Sequence, residues 1–162
     1  MIELYQFGLA FVALLLGLFV WAGIVWSNRS RAQAKLIEEP HRIDFSTRGV
    51  AGYYVATTYG DRPLERVTAF GLGFAGRASV HLSGEGIDVF RKGEISFRIP
   101  NSALLDVKRT SVVIDKAVEQ GGILSFRWRL GDIDLESHFR FASSSARDEL
   151  ASTASSMLVG AI

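Results

Sequence analysis

Residues 124–141 read LSFRWRLGDIDLESHFRF. Leu124, Phe126, Trp128 and Leu130 alternate with Ser125, Arg127 and Arg129. After Gly131-Asp132, the apolar Ile133, Leu135, Phe139 and Phe141 stand opposite Asp134, Glu136, His138 and Arg140. A period of two, broken by a glycine joint, predicts an antiparallel hairpin whose successive side chains point to opposite faces. One face is expected to be core and the other solvated, with Arg127 and Arg129 meeting Asp134, Glu136 or neighbours across the strands. His138 falls on the outer face and is read as solvated surface.

The same alternation extends upstream. Residues 53–58, YYVATT, are rich in strand formers. Residues 78–82 and 87–90 flank Gly84-Glu85-Gly86, and Lys92-Gly93 precedes a strand at 95–99, with Ile95, Phe97 and Ile99 on one face and Ser96 and Arg98 on the other. Glycine at these joints supplies the positive φ of tight hairpins. Residues 68–74 are open between strand and loop. Pro100 closes the strand before it, residues 101–105 are expected as a short helical turn, and 106–118 return to β character with a break in the middle. Beyond Phe141 the period becomes helical. Ser143, Ser144 and Ser145 are cap candidates, Asp148 and Glu149 suit a helix start, and Ala146, Leu150, Ala154, Met157 and Leu158 form one apolar stripe. That stripe is expected to cover an open end of the sheet.

The amino-terminal stretch is of another kind. Residues 4–26, LYQFGLAFVALLLGLFVWAGIVW, carry no charge, and as a helix would run about 34 Å, enough to cross a ~30 Å hydrocarbon core. A secretory signal would want a basic leader, a shorter apolar run and a small-x-small cleavage site; Glu3 and the length of the run favour an uncleaved anchor. Leu4 opens this anchor, and Tyr5 at one end with Trp21 and Trp26 at the other suit the headgroup zones. Arg29, Arg31 and Lys35 follow closely and are the topology-setting cations, leaving the amino terminus outside and the domain in the cytoplasm at the plasma membrane. The expected division is an anchor at 1–27, a juxtamembrane linker at 28–50 whose first part extends the helix as far as Pro40, and a folded domain at 51–160.

Formal net charge is +1 over 162 residues, with both signs interspersed. This is not a nucleic-acid footprint, which would cluster Lys and Arg on one face. The absence of cysteine excludes disulfides and thiolate metal sites and is compatible with a reducing compartment. Residues 71–76, GLGFAG, match GxGxxG, but a dinucleotide site needs that motif between a strand and a helix; here strand-like residues follow, and it reads as a glycine-rich bend. His41, His81 and His138 stand apart, without metal-ligand spacing, and no serine lies in a GxSxG elbow. No catalytic residue, metal or cofactor is expected. Ala13 and Gly17 make a small-xxx-small pair on which a second helix could close.

Two β meanders of about four and three strands, closed by one amphipathic helix, resemble the pleckstrin-homology-like architecture. The chain resembles bacterial PH-like domain proteins, in particular small actinobacterial membrane proteins with one amino-terminal helix. The residues that carry this are Gly86-Ile87-Asp88-Val89, Phe97-Arg98-Ile99-Pro100, Gly121-Gly122-Ile123-Leu124, Trp128-Arg129-Leu130-Gly131-Asp132 and Phe139-Arg140. The resemblance implies a mainly β fold with one transmembrane helix, a barrel of about seven antiparallel strands and a carboxy-terminal cap. It also implies a binding platform rather than an enzyme. The expected role is a membrane-anchored module that touches lipid through its anchor and presents the domain to an unidentified protein partner. The alternatives are a lipid-headgroup or small-ligand sensor with Arg62, Arg66 and Arg77 at its mouth, and an accessory subunit of a membrane complex.

Overall fold

The structure is a computed structural model, which describes residues 2–110, 112–113, 116–117 and 122–159. The side chains of Leu4 and Tyr5 lie outside this description, as do Gly121 and part of the expected 106–118 strand. Helix α1 (Ile2–Ala34) is followed by strands β1 (His41–Ile43), β2 (Val50–Tyr59), β3 (Gly76–Ser83), β4 (Gly86–Arg91), β5 (Ser96–Pro100), β6 (Leu104–Thr110), β7 (Val112–Val113), β8 (Lys116–Ala117), β9 (Ile123–Leu130) and β10 (Ile133–Arg140), then helix α2 (Ser144–Val159). Single 3-10 turns stand at Ala69–Gly71 and Asn101–Ala103.

Eight strands form one antiparallel sheet in the order β1-β5-β4-β3-β2-β10-β9-β6, while β7 and β8 pair separately. The sheet is open, since β1 and β6 are its two edges. The hairpin of 124–141 has the expected register, Leu130 opposite Ile133 and Leu124 opposite Phe139. Its inward residues build the core. The rings of Phe97 and Trp128 stack at 5.8 Å, Tyr54 meets Phe139 edge-on at 5.3 Å and Phe97 at 6.4 Å, and Phe126 meets Phe139 at 5.5 Å. These contacts tie β2 and β5 to β9 and β10 through aromatic packing, beyond the backbone ladder. Helix α2 adds Leu150 and Ala154 to the core, with Ala151 and Leu158 packed beside them, so the predicted stripe is its buried face.

Strand β2 is irregular where Ala56 pairs with His138 but Tyr54 with Phe139, leaving Val55 as the extra residue of a bulge. The shift brings Tyr54 and Thr57 to the same side, where the tyrosine hydroxyl lies 2.6 Å from Thr57 Oγ1 and donates to the Leu72 carbonyl at 2.8 Å. Thr57 Oγ1 lies 2.6 Å from Ser137 Oγ, which also accepts from the Trp128 indole at 3.0 Å. Burial alone would be costly for these hydroxyls, and the chain of hydrogen bonds offsets it.

The stretch 28–50, expected as a linker, contributes directly to the sheet and the core. α1 ends at Ala34, short of Pro40, because the amides of Leu36 and Ile37 both turn back to the Gln33 carbonyl and Ile37 enters the core. His41, Arg42 and Ile43 then pair with Arg98, Phe97 and Ser96 of β5. Residues 68–74 resolve as a turn. Gly71 has φ +70, and a methyl at Gly73 would stand 2.8 Å from the Val67 carbonyl oxygen, so the glycines of GLGFAG serve a tight bend with no helix after it.

Candidate functional site

The end of α1 is fastened to the loop between β2 and β3. The Gln33 amide oxygen accepts from the Thr68 amide (2.6 Å), the Thr68 hydroxyl (2.8 Å) and the Ala69 amide (3.3 Å). One turn earlier the Ser30 hydroxyl donates to the Thr68 carbonyl at 2.9 Å, and Arg29 reaches Glu65 at 3.4 Å. From the other side, buried Arg91 lies over the Tyr54 ring at 4.2 Å and donates to the carbonyls of Gly71 and Phe74. Burial lowers the Arg91 pKa below the usual guanidinium range and pushes that of the Tyr54 phenol up to about 12. Gln33 and Arg91 thus clamp one loop between helix and sheet.

Two clefts open on the surface, the first beside this clamp. The first, about 680 Å³, is lined by Trp26 and Arg29 of α1 and by Arg62, Pro63, Leu64 and Arg66 of the loop. Arg62 pairs with Glu65 at 2.7 Å and Asp61 at 3.5 Å and covers the Tyr59 ring at 4.4 Å. The second, about 850 Å³, lies where the start of α2 meets the sheet. Its floor is a cross-strand row: Tyr53 of β2 is directly opposite Arg77 of β3 on one side and Arg140 of β10 on the other. Arg147, from the first turns of α2, also lines this groove and is held by Asp148 at 2.9 Å. Arg77 and Arg140 make no ion pair among the described residues.

Of the three arginines expected at one mouth, Arg62 and Arg66 therefore share a cleft, and Arg77 belongs to the other groove. Arg140 and Arg147 were not singled out in sequence. The alternation marks Arg140 as outward, but its neighbour Arg77 is set by the order β3-β2-β10, which no local pattern reveals. Arg31 and Lys35 are exposed beside the end of α1, and Arg29 takes part in the clamp.

The expected pairing of Arg127 and Arg129 with Asp134 is present, at 3.0 and 2.8 Å. The expected exposure of His138 is not: it is 2% exposed, with Glu136 at 4% and Ser125 fully buried. Its Nε2 lies 2.9 Å from Thr58 Oγ1 and its Nδ1 2.7 Å from Ser125 Oγ, while Glu136 pairs with Lys108 at 2.9 Å. Mutual hydrogen bonding makes this polar face tolerable inside, next to the small apolar cluster of Ala56 and Ile123. Desolvation lowers the His138 pKa to about 4 despite the opposing pull of Glu136, so the ring is neutral. Among the described residues, no group of three or more His, Asp or Glu is assembled that could hold a metal ion.

A family model described as bacterial PH domain-like matches residues 33–155, more than half of the chain. No curated protein and no solved structure matches it.

Proposed function

The chain belongs to the bacterial PH domain-like family, and from that premise we propose that it is a single-pass, non-enzymatic interaction protein that holds its domain at the cytoplasmic face of the plasma membrane and offers it to a protein partner. The observation that carries this reading is the groove at the start of α2. Tyr53 is 47% exposed there, between Arg77 and Arg140, which have no ion-pair partner among the described residues. Tyrosine and arginine dominate the energetics of protein interfaces, because a rigid ring and a planar fork give area and hydrogen bonds at little entropic cost. An acidic segment of the partner complements this surface. The anchor is supported by α1, where an 18-residue window within residues 7–34 reaches a mean hydropathy of 2.5 with none of that window buried. The orientation is supported by Arg29, Arg31 and Lys35 at the domain end of the helix.

The test is cross-linking of the full-length protein in native membranes followed by mass spectrometry, alongside a Tyr53→Ala, Arg140→Glu variant. One stoichiometric partner linked near the groove in the wild type, and reduced about ten-fold or more in the variant, is expected for a loss of ~1.4 kcal/mol or more. Recovery of the protein alone with co-purified lipid or ligand overturns the reading in favour of a sensor.

A further inference from the structure

We infer that the loop at residues 61–66, with Phe74, is a second membrane contact: it seats in the headgroup layer of the leaflet from which α1 emerges, Leu64 entering the layer and Arg66 meeting lipid phosphate. This rests on the reading of α1 as a membrane anchor.

Height is the first consideration. α1 continues unbroken to Ala34, and the apolar run ends at Trp26, three residues before the first charge at Arg29. From Trp26 to Gln33 the helix rises about 10 Å, while the interfacial layer on each side of the hydrocarbon is roughly 5–8 Å deep. No slack intervenes, because Ser30 and Gln33 are themselves bonded to Thr68 and Ala69. The neighbouring chain then reaches back toward the bilayer. The rings of Phe74 and Trp26 are 5.7 Å apart, and Pro63, Leu64 and Arg66 share a cleft with Trp26 and Arg29. Whatever stands level with Trp26 stands at headgroup depth.

Chemistry agrees with this height. Leu64 is 72% exposed and Phe74 43%, an apolar display on a loop that water does not favour and an interface does. Arg66 makes no ion pair among the described residues, whereas Arg29 and Arg62 share Glu65. The loop is also preformed. The Glu65 amide donates to the Arg62 carbonyl at 2.9 Å, the Arg62 amide donates to Tyr59 at 3.2 Å, and β2 bridges to Arg66 through Thr58. Little ordering is required on contact.

The absence of cysteine makes the test direct. Full-length protein bearing Leu64→Cys, Gly84→Cys or Leu16→Cys is labelled with an environment-sensitive fluorophore. Each is reconstituted into nanodiscs of zwitterionic lipid with and without anionic phosphatidylglycerol. Residue 84 lies at the far end of β3, about 25 Å along the strand from Gly76, and open space surrounds it. The expected result is blue-shifted emission and several-fold stronger quenching by a headgroup-borne quencher at 64 than at 84, and weakening in anionic discs when Arg66→Ala is added. A label at 64 as aqueous as that at 84, while the label at 16 reports the bilayer core, overturns the loop contact alone. An aqueous label at 16 overturns the anchor reading and the loop contact with it.

Discussion

His138 sits between Thr58 and Ser125 with both ring nitrogens engaged, and the neutral ring is the form that fits there. A histidine free in the unfolded chain takes up a proton near pH 6.5, but this one resists protonation down to about 4. As pH falls through that interval, the unfolded state binds a proton that the folded state declines, so stability decreases toward acid and is fully present above 6.5. Between pH 6.5 and 5 the loss should be about 2 kcal/mol. Denaturant unfolding of the detergent-solubilised protein at both pH values is the check, and His138→Gln should flatten the dependence. Nothing in the alternation of 133–140 distinguishes this residue from a solvated one. Its buried partner Thr58 lies 80 positions away, on the neighbouring strand β2. The inward residues of the same hairpin were legible because adjacent strands and one turn suffice to set them.

Elements behaved likewise. Strands and helices long enough to show a period, such as β9, β10 and α2, could be read directly, and the stripe of α2 is buried where expected. β1 could not, since three residues, HRI, carry no measurable period and gain strand geometry only from β5. The bend at 69–76 was legible as a bend from its glycines, but not as the seat of α1, since no local pattern links it to Gln33. Gly73→Ala should cost roughly 1–3 kcal/mol, because the methyl would press on the Val67 carbonyl, at 2.8 Å, while the Val67 amide is committed to Thr57. Thermal unfolding in detergent measures this. Gly84→Ala, which meets open space, serves as the neutral comparison.

For the whole molecule, α1 and the domain share a core instead of meeting at a hinge. A water-soluble fragment starting at residue 28 keeps Ser30, Gln33, Ile37 and β1 and should unfold cooperatively. One starting at residue 51 leaves the Thr68 amide and hydroxyl without their acceptor and β5 with an open edge, and it loses the burial of Ile37. The orphaned donors cost about 1–3 kcal/mol and the missing isoleucine about 1.5–3 kcal/mol. Circular dichroism melts of the two fragments should differ accordingly, with the shorter one prone to edge-to-edge association. Part of this was visible in sequence, as an apolar run, a β domain and a closing helix. The join was not, because Gln33 looks like any solvated helix residue until the fold brings Thr68 to it. An unbroken α1 bolted to the sheet is, mechanically, a shaft without a universal joint. On the proposed reading, torque applied to the domain at Tyr53 is carried along α1 to Ala13 and Gly17 and changes the face the helix turns toward any neighbour.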